Sequence, residues 1–332
     1  MEIRCNRLTG SCNAVQDAID ALPPEGGTVT VPAGDWPCSP LRLRSGLTLC
    51  LEKGARILFD RDTLDTLGRE DFLWCRETHE AYLPLVYACD CEDITITGAG
   101  ILEGDSEYWK GSGETPKAPS VLGFRRCSRI NFKGLTIQDT PLYAICLSEC
   151  TQAAIRNLRI RSACPHGGGF VVDSCRDVLI DSCSIAGGTD GIRIASTTGI
   201  CQGVEVRRCV CDGGRYALYA GLPGCTGLEK LYVHDCILRN SDTGIRIDLP
   251  EGILHDVRFE SLQVIDMKDE GLRVTVNGED VPEPEGLSFR NIYGSAAAEN
   301  PVNLSDLPAK LLDKILMRNV HVVQEPALAL NG

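Results

Sequence analysis

The chain has 332 residues, 43% hydrophobic and 24% charged, the composition of a folded globular protein rather than a disordered one. Its formal charge of -13 repels phosphate backbones and anionic lipid, and no apolar run approaches the ~18 residues of a membrane span, so neither nucleic acid nor a membrane is an expected partner. The 18 cysteines are too sparse for a small disulfide scaffold and lack both CxxC spacing and matching histidines, so no metal and no other cofactor is expected. Met1 to Cys5 shows no basic-then-apolar leader, which reads as a cytoplasmic chain as written, or a secreted one if this is a mature form.

From the N-terminus, Asn13 followed by Val15, Ala18, Ile19 and Leu22 at helical spacing, ending at Pro23-Pro24, predicts a short amphipathic helix. Gly26 to Gly34 reads as turn, strand, turn, and Leu41-Arg42-Leu43 and Leu47-Thr48-Leu49 read as the first short strands of a repeating array. Downstream, four apolar positions spaced 0, +2, +5 and +7 recur from Ile94, Ile130, Ala153, Val178, Val204, Leu231, Val257, Leu287 and Ile315. Of these 36 positions 35 are apolar, Gly294 being the exception, where composition alone would supply about 15.

Paired alternations too short for helices, returning every ~26 residues, describe a β-solenoid whose coils stack side chain above side chain. One interior column reads Leu135, Leu158, Cys183, Cys209, Cys236, Leu262, and a second holds Cys91, Cys127, Cys150, Cys175 and Cys201. Cysteine exchanging with leucine in such a column is a small apolar filler. A solenoid end exposes apolar cross-section and unpaired strand edge, so the helix within residues 1–25 is expected to cap it. The expected fold is all-β, a parallel β-helix with a short N-terminal capping helix, in a single domain over residues 1–332.

These segments resemble glycoside hydrolase family 28, the polygalacturonase-like enzymes of the pectin-lyase-like superfamily of right-handed parallel β-helices. The resemblance rests on Ala14 to Asp20, Val31-Pro32-Ala33-Gly34, Leu51 to Ala55, Ile96 to Gly104 with Tyr108-Trp109, and Thr140 to Ile145. It implies inverting hydrolysis of a plant or microbial oligosaccharide or polysaccharide, in which one Asp protonates the leaving oxygen and others activate water. The family's catalytic motifs NTDG, GDD, GHG and RIK are altered here. Gly168 of His166-Gly167-Gly168-Gly169 stands where an Asp is expected, Thr189 replaces the general acid, and Asp190 is kept. Tyr216 falls at the family's His, an alignment supported by Gly221 and Gly224, and Arg246 survives while the Lys of RIK becomes Asp248.

Independently of the family, the residues that follow the inward Ile145, Phe170, Ile192, Leu218, Ile245 and Leu272 point outward as a stack of Cys146, Val171, Arg193, Tyr219, Arg246 and Arg273. Tyr219 spaces two arginines, while Arg246 and Arg273 repel as neighbours unless acids such as Asp248 or Asp269 neutralise them. An ordinary solvated face is the competing reading. Asp190 shares a column with Tyr216, Thr243 and Glu270; Thr189 shares one with Arg215, Asp242 and Asp269. Two coils put Asp190 and Asp242 about 10 Å apart, at the edge of the separation an inverting pair uses.

The candidate catalytic residues are therefore Asp190 as base and Asp242 or His166 as acid. The candidate sugar contacts are Tyr216, Arg246, Arg193, Tyr219, Arg215, Asp248 and Arg273. Asp248, standing where the family would grip a uronate, argues for a neutral or differently charged sugar. A noncatalytic carbohydrate-binding solenoid and a polysaccharide lyase are the alternatives to a hydrolase with a rebuilt site.

Overall fold

A computed structural model describes residues 1–6, 13–59, 83–109, 118–221, 225–276 and 282–325. The architecture is an all-β parallel solenoid, and the chain divides into two compact units, residues 1–170 and 171–332. Every paired strand in both units is parallel, as successive coils require.

In the first unit the helix forms over Ala14–Asp20 and buries Val15, Ala18 and Ile19, the apolar stripe of the sequence pattern. It does not cap alone. Glu2–Arg4 is a strand, with Glu2 to Arg4 in register with Thr28 to Thr30 of the strand Gly27–Val31, so the terminal chain also covers an edge that would otherwise offer unpaired amides. Interior columns follow the repeat: Ile94, Ile130 and Ala153 lie in register, as do Leu102, Ile137 and Ile160. Here one expectation is corrected. Leu102 rather than Ile101 occupies the fourth interior position of its coil, and Ala99 is exposed. Gly98 and Gly100 press against the preceding coil, where a Cβ would lie 1.9 Å from the Leu51 carbonyl oxygen and 2.6 Å from the Leu51 Cβ respectively, so the bend takes an extra residue.

In the second unit the sequence registers hold. Val178, Val204, Leu231 and Val257 stack, and so do Ile185, Cys211, Leu238 and Val264. Cys183, Cys209 and Cys236 are each 1% exposed, as apolar fillers should be. Gly294 departs from the apolar pattern because a Cβ there would sit 1.5 Å from the Val264 carbonyl oxygen, at a register shift between coils. The bend in the middle of each template repeat falls on a residue in left-handed conformation, and these stack as Ser182, Arg208, Asp235, Ser261, Asn291 and Asn319, with φ between 52° and 57°. Short polar side chains tolerate that conformation best, which explains most of the ladder. Beyond the short strand that follows each corner the chain passes to a second sheet, which in this unit includes Asp190–Ala195, Tyr216–Ala220, Thr243–Leu249 and Leu272–Val276.

Candidate functional site

This second sheet carries seven of the ten candidate residues, in the predicted columns. Arg193, Tyr219, Arg246 and Arg273 are successive register partners, as are Asp190, Tyr216 and Thr243. Ile192, Leu218, Ile245 and Leu272 fill the interior side. The opposite side is not an ordinary solvated face. Every residue of Asp190–Ala195 and of Tyr216–Ala220 is buried, because the large polar side chains cover one another.

Asp190 is fully buried, and its Oδ2 accepts from Nε of Arg193 at 2.7 Å and pairs with Nη2 at 2.5 Å. The Arg193 guanidinium lies under the Tyr219 ring at 5.1 Å. One coil on, the Tyr216 and Tyr219 rings meet at 5.0 Å. Arg246 lies over both rings, 5.3 and 5.6 Å from their centroids, while its Nη1 donates to the Tyr216 hydroxyl at 3.3 Å and its Nε to Asp248 Oδ1 at 3.0 Å. Burial disfavours the charge on Arg246, but the Asp248 carboxylate outweighs it and raises the guanidinium pKa. Nη2 of Arg246 has no acceptor among the described residues, and the side chain is 23% exposed.

Asp248 does not present a charge to a ligand, contrary to the sequence argument for a neutral sugar. It is 1% exposed, and its carboxylate also accepts from the Tyr219 hydroxyl and from Thr275 Oγ1, each at 2.5 Å. Burial and that bond to a carboxylate push the Tyr219 phenol well above its ordinary pKa, so it stays a donor. Arg273 is neutralised by Glu270, Nη1 reaching Oε1 at 3.2 Å and Oε2 at 3.3 Å, and by Asp306 at 3.3 Å, rather than by Asp269. Asn303 fixes the same Glu270 at 2.5 Å.

A rule missed in the sequence emerges from these pairs. Asp190-Gly191-Ile192-Arg193 and Glu270-Gly271-Leu272-Arg273 are two copies of one device, a buried acid at the strand entry bound to the arginine three residues on; Thr243-Gly244-Ile245-Arg246 is the same motif without the acid. The glycine is required by close stacking of the entries: a Cβ on Gly191 would lie 2.6 Å from the Ala217 carbonyl oxygen, and one on Gly244 2.6 Å from that of Gly271. The recurring acid-Gly-aliphatic-Arg string was the available signal.

The remaining candidates sit at the edge of the sheet or elsewhere. Arg215 is exposed and lies 4.8 Å over the Tyr216 ring. Asp242 is 53% exposed, with Lys268 Nζ 3.7 Å from its Oδ1. The exposed Asp269 follows on the next coil, its amide donating to the Asp242 carbonyl at 2.9 Å. His166 belongs to the first unit, exposed on a turn before the strand Gly168–Asp173. That turn is glycine-rich for a local reason, since a Cβ on Gly167 would lie 2.3 Å from the Thr140 carbonyl oxygen. Gly224 lies outside the described residues. Among the described residues no group of three or more His, Cys, Asp or Glu side chains is arranged to hold a metal.

A parallel solenoid with stacked guanidinium, phenol and carboxylate groups on its shorter sheet has the fold of the pectin-degrading β-helix proteins. More specifically, the chain belongs to glycosyl hydrolases family 28, whose family model matches residues 29–324. A probable polygalacturonase of Vitis vinifera is 27% identical over 268 residues, covering 72% of this chain and 54% of that protein. A probable polygalacturonase of Arabidopsis thaliana is 32% identical over 170 residues, 49% of this chain and 36% of that one. The chain thus spans about half or less of the length of these curated relatives. The polygalacturonase of Erwinia carotovora superposes with a TM-score of 0.77 at 16% identity, over 98% of this chain and 93% of that one, and an exopolygalacturonase of Thermotoga maritima with 0.74 at 21%, over 98% and 89%. At that identity the superpositions speak for the fold.

Proposed function

We propose that this chain is a glycoside hydrolase acting on an acidic, pectin-type oligosaccharide at the outer face of the second unit's short sheet. The observation that carries this reading is Arg246: a partly exposed guanidinium held by two tyrosines and a buried carboxylate, with Nη2 left to pair with a sugar carboxylate. Arg215, exposed over the Tyr216 ring, extends the positive edge beside it. The burial of Asp248 removes the repulsion that would disfavour a uronide, and the family to which the chain belongs, with relatives named polygalacturonases, supports the same substrate class.

Hydrolysis needs two groups, one to protonate the leaving oxygen and one to activate water. Asp242 and Asp269 are exposed carboxylates on consecutive coils at the edge of this sheet, about 4.8 Å of coil spacing apart and so closer than the two groups of an inverting pair, and Asp242, beside Thr243 at the strand entry, is the one assigned a reacting role. Asp190, sealed in its ion pair, serves here as a positioning residue for Arg193. The reading is tested by reducing-end release from a panel of oligogalacturonides and neutral galactans. Uronides should be cleaved preferentially, and Arg246→Gln should raise KM at least about tenfold, the effect of one lost charge-assisted contact. Product-free binding of uronides, or equal cleavage of galactan, would sink it.

A further inference from the structure

The first unit holds a cleft of about 640 Å³, a size typical of small-ligand sites, lined in part by Asp20, Arg42, Arg44, Ser45, Tyr87 and Cys89. Arg42 is in register with Tyr87 on neighbouring strands, and Arg44, just past the strand, lines the same cleft. Arg44 is half-buried and locked, Nη1 donating to the Leu22 carbonyl at 2.8 Å and Nη2 to that of Pro23 at 3.2 Å. The backbone of Arg42 is bolted to the capping helix through Gln16, which accepts from the Arg42 amide at 2.9 Å and donates to its carbonyl at 3.1 Å.

Among the described residues, no carboxylate pairs with either guanidinium. In the same unit Arg125 pairs with Glu149 at 3.2 Å and Arg126 with Asp90 at 2.7 Å, and the chain as a whole carries a formal charge of -13. Asp20, the one acid on the cleft wall among the described residues, is exposed and takes a hydrogen bond from Gln16 at 2.9 Å. Arg44, held by backbone carbonyls, and the free guanidinium of Arg42 two residues before it are cations without a carboxylate partner among the described residues, and an anion bridging them would be stabilised by both.

We propose that this cleft is a second binding site, for the carboxylate of an acidic sugar, with Arg42 and Arg44 gripping the carboxylate and Tyr87 and Ser45 facing the ring. The choice of a uronide over another carboxylate rests on the function proposed above; the anion site itself stands on the first unit alone.

The test is calorimetric titration of the full chain carrying Arg246→Gln together with Asp242→Asn, which weakens the carboxylate grip of the second unit and slows turnover of the probe, with trigalacturonate, galactotriose and acetate as probes. One trigalacturonate site should remain, galactotriose and acetate should not compete at equal concentration, and Arg42→Gln or Arg44→Lys added to that background should weaken binding at least about tenfold. Arg42→Gln removes a side chain with no structural partner, so it reads binding even if changes at Arg44 disturb the helix. No trigalacturonate binding in that doubly substituted chain, affinity unchanged in both arginine variants, or equal affinity for galactotriose or acetate would each overturn the proposal. Failure of the hydrolase reading shows separately, as turnover and KM of the otherwise native chain unmoved by Arg246→Gln.

Discussion

The two sheets of the second unit are built by the same coils at the same spacing, yet they treat charge in opposite ways. On the long sheet a column of Asp181, Arg207, His234 and Glu260 alternates along the outer surface, register partner after register partner. Its ion pairs are open to water on at least one side: Arg208, which binds the buried Asp181, is 56% exposed, and Glu205, which binds Arg207 and His234, is 38% exposed. On the short sheet, Asp190 and Arg193 are 0% and 3% exposed, and Asp248 is 1% exposed. Exposed pairs are worth little and buried ones are costly to break, so the same repeat yields a tolerant surface on one side and an intolerant, preorganised one on the other.

The largest effect should come from the buried pair. Asp190→Asn leaves the Arg193 guanidinium buried against a neutral amide, and chemical denaturation should show a loss of about 3 to 5 kcal/mol. Asp190→Leu combined with Arg193→Met removes both charges and should recover most of that. A stable Asp190→Asn chain with slow turnover would instead restore Asp190 as the catalytic base. Asp242→Asn should do the reverse, leaving stability within about 0.5 kcal/mol, as for an exposed position, while turnover falls by roughly 100-fold with binding retained. Parallel melts and initial rates on the two variants separate a positioning carboxylate from a reacting one.

That contrast also marks what could be read in advance. Column membership was legible, because alternation with period two and a constant coil length fix which residues stack; Arg193, Tyr219, Arg246 and Arg273 are register partners as the spacing requires. Burial of the outer face was not, since alternation says which side a residue takes and nothing of how four large polar side chains shelter one another. Within-strand pairing was written in the repeated acid-Gly-aliphatic-Arg string, but it emerges only when acid and arginine are compared three apart rather than coil by coil. The slip at Gly98 to Gly100 escaped the template because Ala99 and Ile101 are as apolar as the residues that take the interior. Strand Glu2–Arg4 was too short and too polar to announce itself.

A smaller effect belongs to Tyr219, whose hydroxyl supplies one of the bonds to Asp248. Tyr219→Phe keeps the ring beneath Arg246 and leaves the buried carboxylate one donor short, which should cost about 1 to 3 kcal/mol. Because Asp248 also orients Arg246, the variant should raise KM for a uronide more than it lowers kcat. Equal loss in both would argue that Tyr219 takes part in the reaction itself.

The smallest effect lies on the tolerant sheet. Arg208, aided by Ser182 and Arg207, holds the Asp181 carboxyl well below the usual carboxylate range, against the opposing effect of partial burial. A carboxylate whose folded pKa is depressed contributes stability that is fully present above its unfolded value, near 3.9, and is lost as pH falls through the folded one. Asp181→Asn should therefore cost only about 1 kcal/mol at neutral pH, the upper range for pairs with exposed partners. The difference between native and variant chains should shrink as the pH is lowered from about 4, and 1 M salt at neutral pH should erase part of it. If instead the Asp181 variant lost as much stability as Asp190→Asn, exposure of the partner arginines would not be what divides the two sheets, and the distinction would have to be sought in the backbone corners that Asp181 adjoins.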